Sequence, residues 1–381
     1  MDERKTEGVV EPPPEADADQ DRRLRLSRRR LLGGALAAGP ALAALHEVVP
    51  HQGLHHALGG QQHENAIAAA AGHTGHRAPS HANGLGTAGP TFREGANVDH
   101  RANGFNPTEL LRDFDYGRTR RLASGRLLRE WELIAADKEI EVAPGVKFPA
   151  WTYNGRIPGP TLRCREGDLL RIRFVNGSEH PHTVHFHGLH PSEMDGIPGV
   201  GAGIINPGKS TVYEFDAEPF GLHLYHCHVA PLAEHIARGM YGTFIVDPKR
   251  GRPDADEMVM VQHGYNTTFD AEGNQLYAVN GIPFAYMGEP IQVKRNELVR
   301  IYLVNALEFD PINSFHIHGN FFNYYPTGTR LEPADFTDTV IQGQGQRGIC
   351  ELTFPHAGPF MFHAHKTEFA ELGWMGFFEV N

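Results

Sequence analysis

The chain has 381 residues, enough for about two domains and tails, and its 43 Gly and 27 Pro favour a turn-rich β protein over a helical bundle. A formal charge of −11 argues against nucleic acid as a partner, and three cysteines cannot build a disulfide scaffold or a four-cysteine zinc site. Twenty-four histidines, many in H-x-H clusters, point to metal instead.

Residues 1–45 read as an address. Arg22, Arg23 and Arg25 lead into Ser27-Arg28-Arg29-Arg30-Leu31-Leu32, which is similar to a twin-arginine export signal, and an A-x-A site follows at Ala41-Leu42-Ala43. The stretch Leu31–Leu45 is too short, and too broken by Gly33, Gly34, Gly39 and Pro40, to span a bilayer. No membrane span is expected elsewhere, and the mature protein is expected to be periplasmic or extracellular. Residues 46–103 read as a disordered His-rich linker, with eight histidines between His46 and His81 and little to bury. Such a tether is either a loose copper collector or a polar linker of biased composition.

From Gly104 onward, short strands alternate with turns. Strands are expected at Trp131–Val142, Leu169–Val175, Ser210–Asp216 and Gly242–Val246. The pattern restarts with Met258–His263, Gln292–Lys294, Leu298–Val304, Gly348–Phe354 and Gly376–Val380. The halves repeat one another: Asn154-Gly155…Gly167-Asp168-Leu169-Leu170-Arg171-Ile172 is echoed by Asn280-Gly281…Asn296-Glu297-Leu298-Val299-Arg300-Ile301. The expected fold is all-β, two Greek-key β-sandwiches in tandem, spanning residues 104–250 and 251–381.

The chemistry lies in four H-x-H motifs: His185-Phe186-His187, His226-Cys227-His228, His316-Ile317-His318 and His363-Ala364-His365. On a strand, residues i and i+2 share a face, so each motif aims two imidazoles at one region. Eight imidazoles without a carboxylate pattern suit copper better than magnesium or calcium. Cys227 adds a separate signal, with His182 upstream and His235 and Met240 downstream. Two imidazoles, a thiolate and a weak thioether are the ligand set of a blue, type 1 copper.

On these motifs the stretch from Trp131 to Asn381 resembles a two-domain multicopper oxidase, laccase-like, with its type 1 copper in the first cupredoxin domain. The resemblance implies a trinuclear cluster in which His185 and His316 hold the type 2 copper. His187, His226, His228, His318, His363 and His365 would hold the type 3 pair. Where the first half has His182, Cys227, His235 and Met240, the simplest alignment of the second offers Asn313, Ala364, Leu372 and Trp374. One blue site and one cluster, about four coppers per chain, are therefore expected. A donor, either a phenol or aromatic amine or a low-valent metal ion, would give single electrons to the blue site, and dioxygen would be reduced to water at the cluster. The resemblance further suggests a homotrimer in which the first domain of one chain meets the second of its neighbour.

Glu368 and Asp195 are the candidate proton relays. Cys164 and Cys350 read as two buried thiols rather than a bridge, and His180, His190, His223, His263 and His356 fit no ligand template. Two other readings remain. A copper nitrite reductase shares the architecture, but places Asp where this chain has His185 and has no histidine where this chain has His228. A copper-storage protein would bind the metal without turnover.

Overall fold

The computed structural model describes Asn97–Asn381; the export signal and the eight linker histidines lie outside the described residues. The described chain forms two cupredoxin-like β-sandwiches. In the first, one sheet runs Phe114–Asp115, Thr161–Arg165, Tyr241–Asp247, Gly221–His226, His185–Phe186. The other runs Arg118–Arg121, Leu127–Ala143, Leu169–Asn176, Ser210–Asp216, with Val146–Tyr153 paired to Leu127–Ala143. The second sandwich pairs a six-stranded sheet centred on Leu298–Asn305 and Arg347–Thr353 with a five-stranded sheet that holds Ile312–Ile317 and Gly358–His363.

Side-chain alternation sets these layers. In Leu169–Asn176, Leu170, Ile172 and Phe174 are buried with Trp131 and Leu133 in the core of the first sandwich. Arg171 and Arg173 point outward to cross-strand Glu214, Glu130 and Glu132, exposed pairs that contribute little to stability. The repeat strand Leu298–Asn305 shows no such alternation and is buried on both faces. Val299, Ile301 and Leu303 fill the second core, while Tyr302 and Val304 join Leu222, Leu224, Tyr241, Ile245, Val259 and Val261 in a cluster between the sandwiches. Each such aliphatic side chain, fully buried, contributes about 2 kcal/mol.

Buried charge supports the same junction. Arg163 of the first sandwich forms a two-pronged pair with Asp247 (2.8 and 2.9 Å) and reaches Glu257 at 2.6 Å. Glu257 also accepts from Arg300 and Tyr302, and Arg300 continues to Glu351 at 2.6 Å.

The duplication is visible in the turns. Asn154 and Gly155 have φ of 55° and 72°, and Asn280 and Gly281 have 55° and 91°, the positive values that Asn-Gly hairpin turns need. Asn154 Oδ1 accepts from the Ile134 amide and Asn280 Oδ1 from the Val261 amide, so the same side chain ties the same turn in each half. Cys164 and Cys350 are unbridged and buried in separate cores. Among the described residues no helix is long and apolar enough to cross a membrane.

The H-x-H motifs straddle strand ends instead of lying within strands. Strands end at Phe186, His226, Ile317 and His363, so the second imidazole of each motif sits just outside the ladder. The pairs still share a region: ring centroids are 5.0 Å apart for His185 and His187, and 5.8 Å for His226 and His228.

Candidate metal centres

Three lone-pair donors converge inside the first sandwich. Cys227 Sγ lies 3.2 Å from His235 Nδ1 and 3.6 Å from His182 Nδ1, and the two nitrogens are 3.2 Å apart. Cys227 follows the strand Gly221–His226, His182 bridges Ile205, and His235 comes from the short helix Leu232–Ala237. Met240 is fully buried, and its carbonyl accepts from the Cys227 amide at 3.0 Å, which fixes it beside the group. Burial holds the His182 imidazolium down to about 3 and that of His235 to about 4, so both rings are neutral at pH 7. Burial also pushes the Cys227 thiol up. A thiolate here needs a cation to offset its burial, and two imidazoles, sulfur and a nearby thioether suit copper.

A second group forms at the end of the same sandwich, where the reactive nitrogens of His185, His187 and His226 lie within 4.8 Å of one another. His187 Nε2 and His226 Nε2 are 2.9 Å apart. His226 Nδ1 donates to the Cys227 carbonyl at 2.8 Å, and His185 Nδ1 donates to the Asp195 carbonyl at 2.9 Å. Those bonds place the ring proton on Nδ1 and leave the Nε2 lone pair facing the group. His228 joins through ring contact with His185 at 5.4 Å, its amide held by Thr183 Oγ1 at 3.0 Å.

The second sandwich repeats this arrangement. His318 Nε2 and His363 Nε2 are 3.1 Å apart, His363 Nδ1 donates to the Ala364 carbonyl at 2.8 Å, and His316 Nδ1 to the Asp338 carbonyl at 3.0 Å. His365 lies 5.2 Å from His316, and its amide is held by Ser314 Oγ at 2.8 Å. A single proton or a metal ion can sit between nitrogens at such distances, and donor sets made only of imidazoles fit copper. Among the described residues no hydrogen bond or ring contact joins one group to the other. His318 and His365 are exposed, whereas His226 is buried.

The two proton-relay candidates fare differently. Asp195 Oδ1 lies 2.8 Å from His185 Nδ1, in a turn where Gly196 has a φ of +71° and a Cβ would meet the Val184 carbonyl at 1.9 Å. Glu368 is exposed on the helix Thr367–Glu371 and touches none of the cluster histidines. The acid that occupies the equivalent of Asp195 is Asp338, whose carbonyl and neighbour Thr339 hold His316 Nδ1. His190 also differs from the sequence reading, since its Nε2 lies 3.6 Å from Asp195 Oδ1. His223 is buried with Nδ1 on the His187 carbonyl and Nε2 on that of Pro219, beside Arg347 of the second sandwich. Nothing in the sequence spacing marked Asp338 or His223, because Asp338 acts through its own backbone carbonyl and His223 bonds to those of His187 and Pro219.

One position of the second sandwich's equivalent site, that of His235, is shifted by three residues from the sequence alignment. The Ala364 amide bonds the Trp374 carbonyl as Cys227 bonds Met240, and Trp374 bonds back to Phe369 as Met240 does to His235. Phe369, buried and stacked on Tyr277, therefore stands where the first sandwich has His235. Leu372 corresponds to Arg238 and is exposed, because the second loop is shorter.

Comparison with known proteins shows the family. Residues 135–251 and 253–381 each match a family described as multicopper oxidase. A crystal structure of a multicopper oxidase is 66% identical, with a TM-score of 0.73, over 74% of this chain and 100% of that one. A blue copper oxidase from Nitrosomonas europaea is 29% identical, TM-score 0.61, over 66% of this chain and 86% of that one. A copper-containing nitrite reductase from Neisseria meningitidis serogroup A is 34% identical over 60% of this chain, and the match spans 63% of that relative's length. Two tandem family matches cover the sandwiches that carry all twelve expected ligands, and the chain belongs to the multicopper oxidase family.

Proposed function

We propose that the protein is a laccase-like multicopper oxidase that couples one-electron oxidation of a donor to four-electron reduction of dioxygen to water. The carrying observation is the run His226-Cys227-His228, in which one cysteine faces the buried sulfur site while its neighbours face the histidine cluster. When bound, a type 1 copper accepts single electrons and a trinuclear cluster delivers four to dioxygen.

The chain's residues supply geometry, exclusion and proton contacts. His182, Cys227, His235 and Met240 would hold the first copper, and His185 and His316 the type 2 ion. His187, His226, His228, His318, His363 and His365 would hold the type 3 pair. His235 and Trp151 line an open cavity of about 750 Å³, with Asp137, Glu179 and His180 on its rim, which suits a small donor. Asp195 keeps a carboxylate against His185 Nδ1, where a proton can be held beside a candidate type 2 ligand.

Each chain carries two separated half-clusters, and we take a homotrimer to complete them, the first sandwich of one copy meeting the second of its neighbour. Ile312, Phe336 and Ile341, 51%, 64% and 69% exposed on or near the strands that carry His316, would be covered in that assembly. Export by the twin-arginine route is part of the same proposal.

Copper per chain on the loaded protein, read beside dioxygen uptake with a phenol or aromatic amine, tests the reading. About four coppers with uptake supports it. About two coppers with nitrite consumption favours a copper nitrite reductase, the activity named for the Neisseria relative. Copper binding with no turnover of either kind favours storage.

A further inference from the structure

We infer that Ser178 and Asp137 are positioning residues of the sulfur site, fixing which nitrogen of His182 faces the metal and anchoring that ring to the wall of the donor cavity. The inference rests on His182 being a type 1 ligand, as proposed above.

Counting protons fixes the tautomer. Ser178 Oγ lies 3.0 Å from His182 Nε2, accepts from the His180 amide at 3.0 Å, and donates to Asp137 Oδ1 at 2.7 Å. A hydroxyl has one proton and two lone pairs. Ionised Asp137 can only accept, so the serine proton belongs to it, and one serine lone pair belongs to His180. The remaining lone pair must receive a proton from Nε2. His182 is thereby held in the tautomer whose bare Nδ1 faces Cys227 Sγ and His235 Nδ1.

Each member of the brace is itself fixed. Ser178 is buried, and its amide donates to Asn176 Oδ1 at 3.0 Å. Asp137 Oδ2 accepts from the Glu179 amide at 2.7 Å. Asp137 is the strand partner of Trp151, whose ring packs against His182 and His235 with centroids 5.5 and 4.7 Å away. One strand pair therefore carries both the anchoring carboxylate and the indole beneath the two imidazoles.

The second sandwich supplies an internal control. Asn305 plays the part of Asn176, with its Oδ1 accepting from the Leu307 amide as Asn176 accepts from that of Ser178. The strand pairs Ala135↔Asn176 and Gln262↔Asn305 put Gly264 where the first sandwich has Asp137. The half with Asn313, Ala364, Phe369 and Trp374 in place of the copper ligands thus has Leu307 and Gly264 in place of Ser178 and Asp137. The asparagine scaffold persists in both halves, whereas hydroxyl and carboxylate occur only where there is an imidazole to orient.

The test uses the copper-loaded full chain and reads the blue absorption band, the reduction potential of that copper and its loss to a chelator. Ser178→Ala is expected to weaken retention of this copper by about 10- to 100-fold and to move band and potential, with copper at the histidine clusters unchanged. Ser178→Thr should restore the parent values, and Asp137→Ala should follow Ser178→Ala. A band, potential and retention unmoved in Ser178→Ala would overturn the brace while leaving the oxidase reading intact. A parent protein with no blue band would remove the type 1 site and the brace together.

Discussion

His226 Nδ1 donates to the carbonyl oxygen of Cys227 at 2.8 Å, so the ring that faces the histidine cluster is locked to the backbone of the residue that faces the sulfur site. Ligands of both expected centres thus share one peptide link and one hydrogen bond. Cys227→Ser should remove the blue band and donor oxidation while copper at the clusters is retained. Optical spectra with metal analysis check this, and donor oxidation surviving the substitution would defeat the proposed route.

The carboxylates beside the two leading histidines should matter more than the exposed glutamate. Asp195→Asn is expected to slow dioxygen uptake about 100-fold, in the range for loss of a positioned acid–base group. Glu368→Gln should stay within about twofold, since Glu368 touches no cluster histidine. A reversal of that order in an oxygen-electrode assay would restore Glu368 as the relay.

The charge network between the sandwiches sets a stability prediction. Glu257 accepts from Arg163 and Arg300, whose side chains are only 8% and 3% exposed. Glu257→Leu leaves both guanidinium groups short of a partner and should cost about 3–5 kcal/mol in denaturant unfolding. Adding Arg300→Met to Glu257→Leu should recover part of that loss. A cost below about 1 kcal/mol would show that the surrounding carboxylates compensate.

Acid sensitivity follows from a buried histidine outside the candidate ligand set. Burial holds His263, packed between Tyr241 and Tyr265, down to about 3. The unfolded chain takes up that proton near pH 6.5, so stability from this group is full above about pH 6.5 and falls as pH drops toward the folded value. His263→Phe should flatten the fall between pH 6.5 and 4 by about 3 kcal/mol, measured on metal-free protein. An unchanged pH slope would mean that the folded histidine is already protonated.

Much of the site was legible because copper chemistry tolerates few residue types. The four H-x-H motifs and the Cys227, His235, Met240 spacing point at their targets through short local segments, and the structure places all but the Met240 sulfur in one of three groups by ligand-atom or ring contacts. Loop length was harder to read. Leu372 aligned with His235 by counting, yet the hydrogen bonds of the shorter second loop put Phe369 there, since the register of a loop is set by what its backbone bonds to. Glu368 follows a candidate ligand by three residues in sequence, but the helix Thr367–Glu371 leaves it exposed.

By itself the sequence determined the duplication and the all-β class and named the candidate ligands, because alternating hydrophobicity, Asn-Gly turns and clustered imidazoles act over a few residues. Only the tertiary structure decided which carboxylates stand behind the histidines, which nitrogen of His182, His185, His226, His316 and His363 is bonded away from its group, and that among the described residues no contact joins the two histidine groups. Those properties depend on backbone carbonyls, a serine and aspartates that come from strands distant in the chain, and hydrogen-bond partners of that kind leave no periodic trace in a sequence.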